Sequence, residues 1–154
     1  MKSKLQHLLT ILFLIGGFIS TGLIAEACTD FSGEYRSIEE GHNELFLTFT
    51  QIGCERLIMD YKYADGSAFR KDILLDGVSR VIFDEFNFKT TEAFSWGLED
   101  IFFTAHLENK MSGRKHIMKG SFMKDIEGNI IEDKTFYNLN GKRLYKVIVV
   151  HTPQ

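Results

Sequence analysis

Proline is almost absent from this 154-residue chain: Pro153, next to the last residue, is the single example. With no internal proline, nothing forbids long hydrogen-bonded segments, and the breaks must come from glycine and polar turn residues. Cysteine is limited to Cys28 and Cys54, too few for a disulfide-rich miniprotein or an all-cysteine zinc site. Charge of one sign is lacking too. The 18 basic and 21 acidic residues leave −3 with no block of either sign, so there is no electrostatic footprint for nucleic acid. At 44% apolar and 25% charged, the composition is that of a folded globular chain and excludes disorder and collagen-like sequence. There is no Ser/His/Asp order, no glycine-rich phosphate loop and no spacing that selects a pair of acids. The chain is therefore not read as an enzyme, and no cofactor is expected.

What is present begins at the N terminus. Lys2 and Lys4 precede an uncharged run over residues 8–25, rich in Leu, Ile and Phe, which meets Ala25-Glu26-Ala27. This is the layout of a secretory signal peptide with an A-x-A cleavage site, so residues 1–27 are expected to be removed and 28–154 to form one domain. Two alternatives stand beside it. An uncut run of this length reaches across a bilayer as an anchor. A Cys28 at the new N terminus is also where a lipoprotein would be acylated, although Glu26 departs from the small uncharged residue of a lipobox. An exported chain with two cysteines more simply pairs them, so a Cys28–Cys54 disulfide and a periplasmic or extracellular location are expected, with no membrane attachment after cleavage.

From Gly33 onward, short β-rich runs alternate with turn signals, and no apolar stripe of period 3.6 is long enough to demand a helix. Residues 56–64 place Leu57, Met59, Tyr61 and Tyr63 on one face; residues 101–108 place Ile101, Phe103, Ala105 and Leu107 on one face. Asp65-Gly66, Asp76-Gly77, Glu127-Gly128-Asn129 and Asn140-Gly141 are hairpin signals. The expectation is an all-β, antiparallel, up-and-down meander of about eight to ten strands. A barrel is preferred over a sandwich because every connection is short and sequential. Residues 147–150 are apolar on both faces, so barrel closure or a subunit contact is expected to cover them. The pattern weakens over residues 90–99, which read as a loop carrying Trp96 to the barrel mouth.

The segment Cys28-Thr29-Asp30-Phe31-Ser32-Gly33-Glu34-Tyr35 opens the first strand with Gly, any residue and an aromatic. In this it resembles the start of the calycin barrels: lipocalins open with Gly-x-Trp, and avidin-like proteins have a Cys shortly before a similar motif. Lys119-Gly120-Ser121-Phe122 through residues 125–129 to Lys134 also resembles a late hairpin of the avidin-like barrel. Tyr35 stands where these families have Trp, and Trp96 is the only Trp, so biotin binding is not carried over. The resemblance implies structural roles for Gly33 and Tyr35. It also implies a basic residue of the last strand, Arg143 or Lys146, packed across Tyr35 by cation–π contact.

A barrel of this size encloses either packed side chains or one small ligand. All but Phe13 and Phe18 of the 14 Phe lie beyond residue 27, which is material for a core or a cavity lining. The expected function is a small exported binding protein holding a hydrophobic ligand, with Trp96, Phe94, Tyr61, Tyr63 and Phe103 as candidate contacts. The alternative is a module that binds or inhibits another protein through exposed loops. His106 and His116 would lie opposite each other in a hairpin centred on Met111, within reach of one metal ion. No third ligand is evident, and no metal site is expected. Arg70, Lys71, Arg80 and Lys119 interrupt alternating strands, and any that point inward need a partner such as Asp60, Asp72 or Glu132.

Overall fold

The computed structural model describes residues 28–38 and 44–154; the expected signal peptide lies outside the described residues. Ten strands follow in chain order. These are β1 (Gly33–Ile38), β2 (Glu44–Ile52), β3 (Arg56–Tyr63), β4 (Ala68–Leu74), β5 (Arg80–Asp84), β6 (Phe88–Trp96), β7 (Ile101–Asn109), β8 (Lys115–Lys124), β9 (Ile130–Asn138) and β10 (Arg143–Pro153). They form one sheet in the order β4-β3-β2-β1-β10-β9-β8-β7-β6-β5, antiparallel throughout, with no helix among the described residues. Only the first and last strands pair out of sequence. The expected up-and-down meander is therefore present, and it curls into a nearly closed barrel.

Closure is incomplete because β4 and β5, the two ends of the sheet, do not pair with each other. The chain after β4 instead leans on β6: Gly77 N–H donates to the Phe94 carbonyl at 2.6 Å beside an isolated bridge between Asp76 and Ser95. Deeper in the seam, Lys71 Nζ reaches both carboxylate oxygens of Glu92, at 2.7 and 3.0 Å, and lies 5.6 Å from the centroid of the Phe94 ring. Both charged groups are largely buried, so each is tolerated only because the other is there.

This pair also explains the one element the sequence hides. Residues 88–96 are a regular strand rather than a loop, paired with β7 along its whole length from Phe88↔Asn109 to Trp96↔Ile101. Its inward row is Thr90, Glu92, Phe94 and Trp96. A buried glutamate in that row breaks the apolar alternation that signals a strand.

One end of the barrel is plugged by the segment before β1. Cys28 and Cys54 form the expected disulfide, tying this segment to the β2–β3 turn. Gln51 accepts from the Phe31 N–H at 2.9 Å, and Lys124 donates to the Asp30 carbonyl at 2.7 Å. Phe31 is thereby driven into the barrel, where it is fully buried 5.8 Å from Trp96. Gly33 has φ +147, and a Cβ there would meet the Tyr35 ring at 3.1 Å. The glycine lets the tyrosine fold back so that its hydroxyl donates to the Phe31 carbonyl at 3.3 Å. Gly-x-aromatic thus works here as a plug-and-ring unit.

Behind the plug lies a solid apolar core of Phe49, Leu57, Met59, Ile73, Phe94, Ile101, Phe103, Phe122 and Ile130. Gly120 belongs to it by omission. A Cβ there would meet the Asp133 carbonyl at 2.2 Å and the Phe103 ring at 2.5 Å, so glycine makes room for the ring.

Candidate functional site

The inward-facing rows change character along their length. On β3, Leu57 and Met59 are fully buried, whereas Tyr61 and Tyr63 are only partly so. On β4, Ile73 is buried and Phe69 is 44% exposed; on β6, Phe94 is 4% exposed and Phe88 51%. β7 runs from buried Ile101, Phe103 and Ala105 to part-exposed Leu107. β8 runs from buried Phe122 to part-exposed Met118 and His116. β10 runs from buried His151 through Val149 and Val147 to Tyr145, 54% exposed. β1 and β2 are exceptions, with Tyr35, Ser37, Leu45, Leu47 and Phe49 all buried, and β5 has no buried residue. The other strands bury the residues nearest the Cys28 end, so the gradient defines a closed half and an open half.

The open half is walled by Tyr61, Phe69, Leu107, Met118, Phe136 and Val147. At its base stand two charged groups, Lys71 with Glu92 and Lys134 with Glu132. At its rim, a hollow of about 380 Å³ is lined by Phe88 and Leu107 together with the polar Lys89, Thr90, Glu108, Asn109, Arg114 and His116, and its size is in the usual range for small-molecule sites. A second hollow of about 840 Å³ runs along β1–β4. Its lining mixes Tyr61, Tyr63 and Phe69 with the outward-directed Phe46, Asp60 and Arg70, and Arg70 and Asp60 already pair at 3.2 Å. The phenyl ring of Phe136 stacks on Tyr145 at 4.3 Å, holding both rings at the rim.

The charged base is organised by His151. Its Nδ1 lies 3.1 Å from Ser37 Oγ, and its buried Nε2 is 3.4 Å from Glu132 Oε2, close enough for electrostatic contact but outside hydrogen-bond geometry. Lys134 Nζ is 3.1 Å from the same oxygen. Burial pushes the Glu132 carboxyl up, but His151 and Lys134 together outweigh it and hold the group below the ordinary glutamate value. Ser37 is buried, so the trio ties β1, β9 and β10 together rather than presenting a nucleophile.

Of the residues singled out from the sequence, Phe94 and Phe103 lie in the closed half, their rings 5.6 Å apart. Trp96 packs against the same core rather than on a mouth loop, and its Nε1 is buried without a partner among the described residues. Tyr61 and Tyr63 are brought to the open half. Arg143 and Lys146 are not brought to Tyr35. The register places Pro153 opposite Tyr35, and Arg143, opposite Tyr137, stands ten residues away or about 33 Å along the strand. Lys146 pairs with Asp133 instead, and the cation that meets a ring is Lys71 over Phe94.

The His106 and His116 pairing fails by one residue. Asn109 N–H donates to the Arg114 carbonyl, which sets His106 opposite Ile117 and His116 opposite Leu107, on opposite faces. Among the four interrupting cations, Lys71 alone becomes buried. Arg70 pairs with Asp60, Arg80 with Asp76 at 2.7 Å, and Lys119 is exposed. Phe31, Gln51, Glu92 and His151 were not legible as site or core residues. Comparison with protein families, with characterised proteins and with solved structures returns no match for this chain.

Proposed function

We propose that this is an exported binding protein that takes one small, largely hydrophobic molecule into the open half of its barrel. The observation that carries the reading is the exposure gradient: the same inward rows that are sealed at the Cys28 end admit solvent at the other, past apolar and aromatic walls. The disulfide supports the location, because such bonds persist in oxidising compartments. Tyr61, Phe69, Leu107, Met118 and Phe136 would hold the apolar body of the ligand. Lys134 and the Lys71–Glu92 pair favour a polar group at its inner end, since a wholly apolar molecule would desolvate those charges without replacing their hydration.

The test is native mass spectrometry of protein isolated from its own cells, with titration of a fluorescent fatty acid. The reading expects a retained mass of a few hundred daltons or saturable probe binding, reduced at least tenfold by Leu107→Lys or Met118→Lys. Bare protein that also ignores the probe would remove it.

A second reading, a protein-binding module, is favoured by Phe86 and Leu98, which sit on turns at opposite ends and give 86% and 95% of their surfaces to solvent. A retained partner protein in the same spectra, abolished by Phe86→Ser or Leu98→Ser, distinguishes it.

A further inference from the structure

The two ends of the barrel carry the same kind of apolar tip beside opposite charge. At the open end, the β5–β6, β7–β8 and β9–β10 turns follow one another around the lip, and their tips put Phe86, Met111 (73% exposed) and Leu139 (60%) into solvent. The Lys110 N–H donates to the Asn87 carbonyl at 2.8 Å and Lys110 Nζ pairs with Asp84, which ties the first two turns together. Neighbouring strands are about 4.8 Å apart, so the three tips span about 20 Å of the lip. Residues 84–89, 108–115 and 138–143 carry six cations, Lys89, Lys110, Arg114, Lys115, Lys142 and Arg143, against three acids, Asp84, Glu85 and Glu108. This arc is therefore positive by three in a chain that is negative by three. Arg114, Lys142 and Arg143 are exposed and enter no ion pair among the described residues. The positive lip is one-sided: the β3–β4 turn holds Asp65, and the β1–β2 connection, outside the described residues, holds Glu39 and Glu40. At the Cys28 end the tips are Leu98 and Ile126, and their turns read Leu98-Glu99-Asp100 and Asp125-Ile126-Glu127, with four acids and no cation.

We propose that the β5–β10 lip docks on the surface of a membrane containing anionic lipids, with Phe86, Met111 and Leu139 entering the headgroup layer and the flanking cations meeting lipid phosphates. Membrane association of this kind adds buried apolar area to attraction between basic side chains and anionic lipid. Charge selects the end: the negative potential of such a surface attracts the basic lip and repels the acidic turns that carry Leu98 and Ile126. The shape of the lip favours lipid over a protein partner, because its apolar groups are single side chains on separate turns with Asn and Lys between them, not the continuous apolar centre of a protein interface. The hollow at the same lip offers a place for a headgroup. Lys89 and Arg114 line it with His116 and Phe88, and its one acid, Glu108, is already met by Lys115 at 3.2 Å. Contact of this kind is reversible and needs no anchoring segment. It turns the mouth of the open half toward the bilayer, yet it is measured without any ligand, so its failure would leave the ligand reading untouched.

The test uses protein isolated from cells making the full chain, floated with phosphatidylcholine vesicles that either contain or lack phosphatidylglycerol. The protein is expected to float with the anionic vesicles and not with the neutral ones, and less of it is expected to float as salt is raised. Arg114→Glu with Lys142→Glu, both at exposed positions, is expected to weaken vesicle binding at least tenfold with an unchanged circular dichroism spectrum. Phe86→Ser with Met111→Ser is expected to do the same, whereas Leu98→Ser with Ile126→Ser is expected to leave binding intact. Orientation has its own readout. The added fluorescence of Phe86→Trp is expected to be quenched by vesicles of brominated lipid, and that of Leu98→Trp is not. Equal binding to both kinds of vesicle, binding to neither, loss of binding on changing Leu98 and Ile126, or a protein partner seated on Phe86 and Met111 in place of lipid would each overturn the proposal.

Discussion

The two halves of this barrel are built from the same strands, yet they solve opposite problems. The Cys28 half is sealed. A disulfide, a glutamine and a lysine pin the entering chain across it, and Phe31 fills the opening that ten short strands leave. The open half keeps the same alternation, no segment among the described residues plugs it, and its inward rows end in part-exposed Tyr, Phe, Leu and Met. The comparison teaches that a small barrel can place its stability at one end and leave the other free to receive something. The boundary between the halves is polar, marked by Lys71 with Glu92 on one wall and by Glu132, Lys134 and His151 on the other.

The sharpest way to break the contrast is to delete an apolar side chain from each half. Phe103→Ala removes a buried ring of the closed half and is expected to cost about 4 kcal/mol in chemical denaturation. Leu107→Ala, one turn of the pleat beyond Ala105 on the same strand, is expected to cost only about 1 kcal/mol, because its site is already part-exposed.

The seam comes next. Glu92→Ala leaves Lys71 buried without a counter-charge and is expected to destabilise by about 3 kcal/mol. The double change Lys71→Met with Glu92→Leu is expected to recover most of that loss in the same denaturation assay.

Removing the disulfide as Cys28→Ser with Cys54→Ser is expected to cost about 3 kcal/mol on the chain-entropy account of a loop this long. It should also loosen the plug specifically, so hydrogen exchange at Phe31 and Gln51 is expected to accelerate before exchange at Leu107 does.

Acid should act on the boundary. Glu132 has a folded pKa below its unfolded one, so its contribution to stability is complete above the ordinary glutamate value of 4.5 and is lost as pH falls through the lower folded value. Glu132→Gln is expected to flatten the stability profile below pH 4.5. A variant profile that falls as steeply as the parent's would assign the acid limb to other carboxylates.

Much of the fold was legible in the sequence because period-two alternation and the Asp-Gly and Asn-Gly turns speak directly to hairpins. Asn140-Gly141 turns as its residues require, with Gly141 at φ +77. The cysteine pairing followed from the cysteine count and the expected export. The site was less legible, for identifiable reasons. Residues 90–96 hid as a loop because Glu92 occupies an inward position, and only its distant partner Lys71 makes that tolerable. His106 and His116 missed each other because the turn closes between Asn109 and Arg114, and a shift of one residue sends a side chain to the other face. Which half would be solid could not be read at all. Tyr61 and Phe103 belong to the same residue class, and only the position of the Phe31 plug separates their surroundings.

Methyl-resolved NMR during titration with a medium-chain fatty acid reports whether a ligand enters the open half and spares the closed one. Saturable shifts are expected at Leu107, Met118 and Val147, with Leu57, Ile73, Ile101 and Ile130 unmoved. Shifts centred on the closed-half methyls, or no shifts anywhere at saturating probe, would overturn the proposed site.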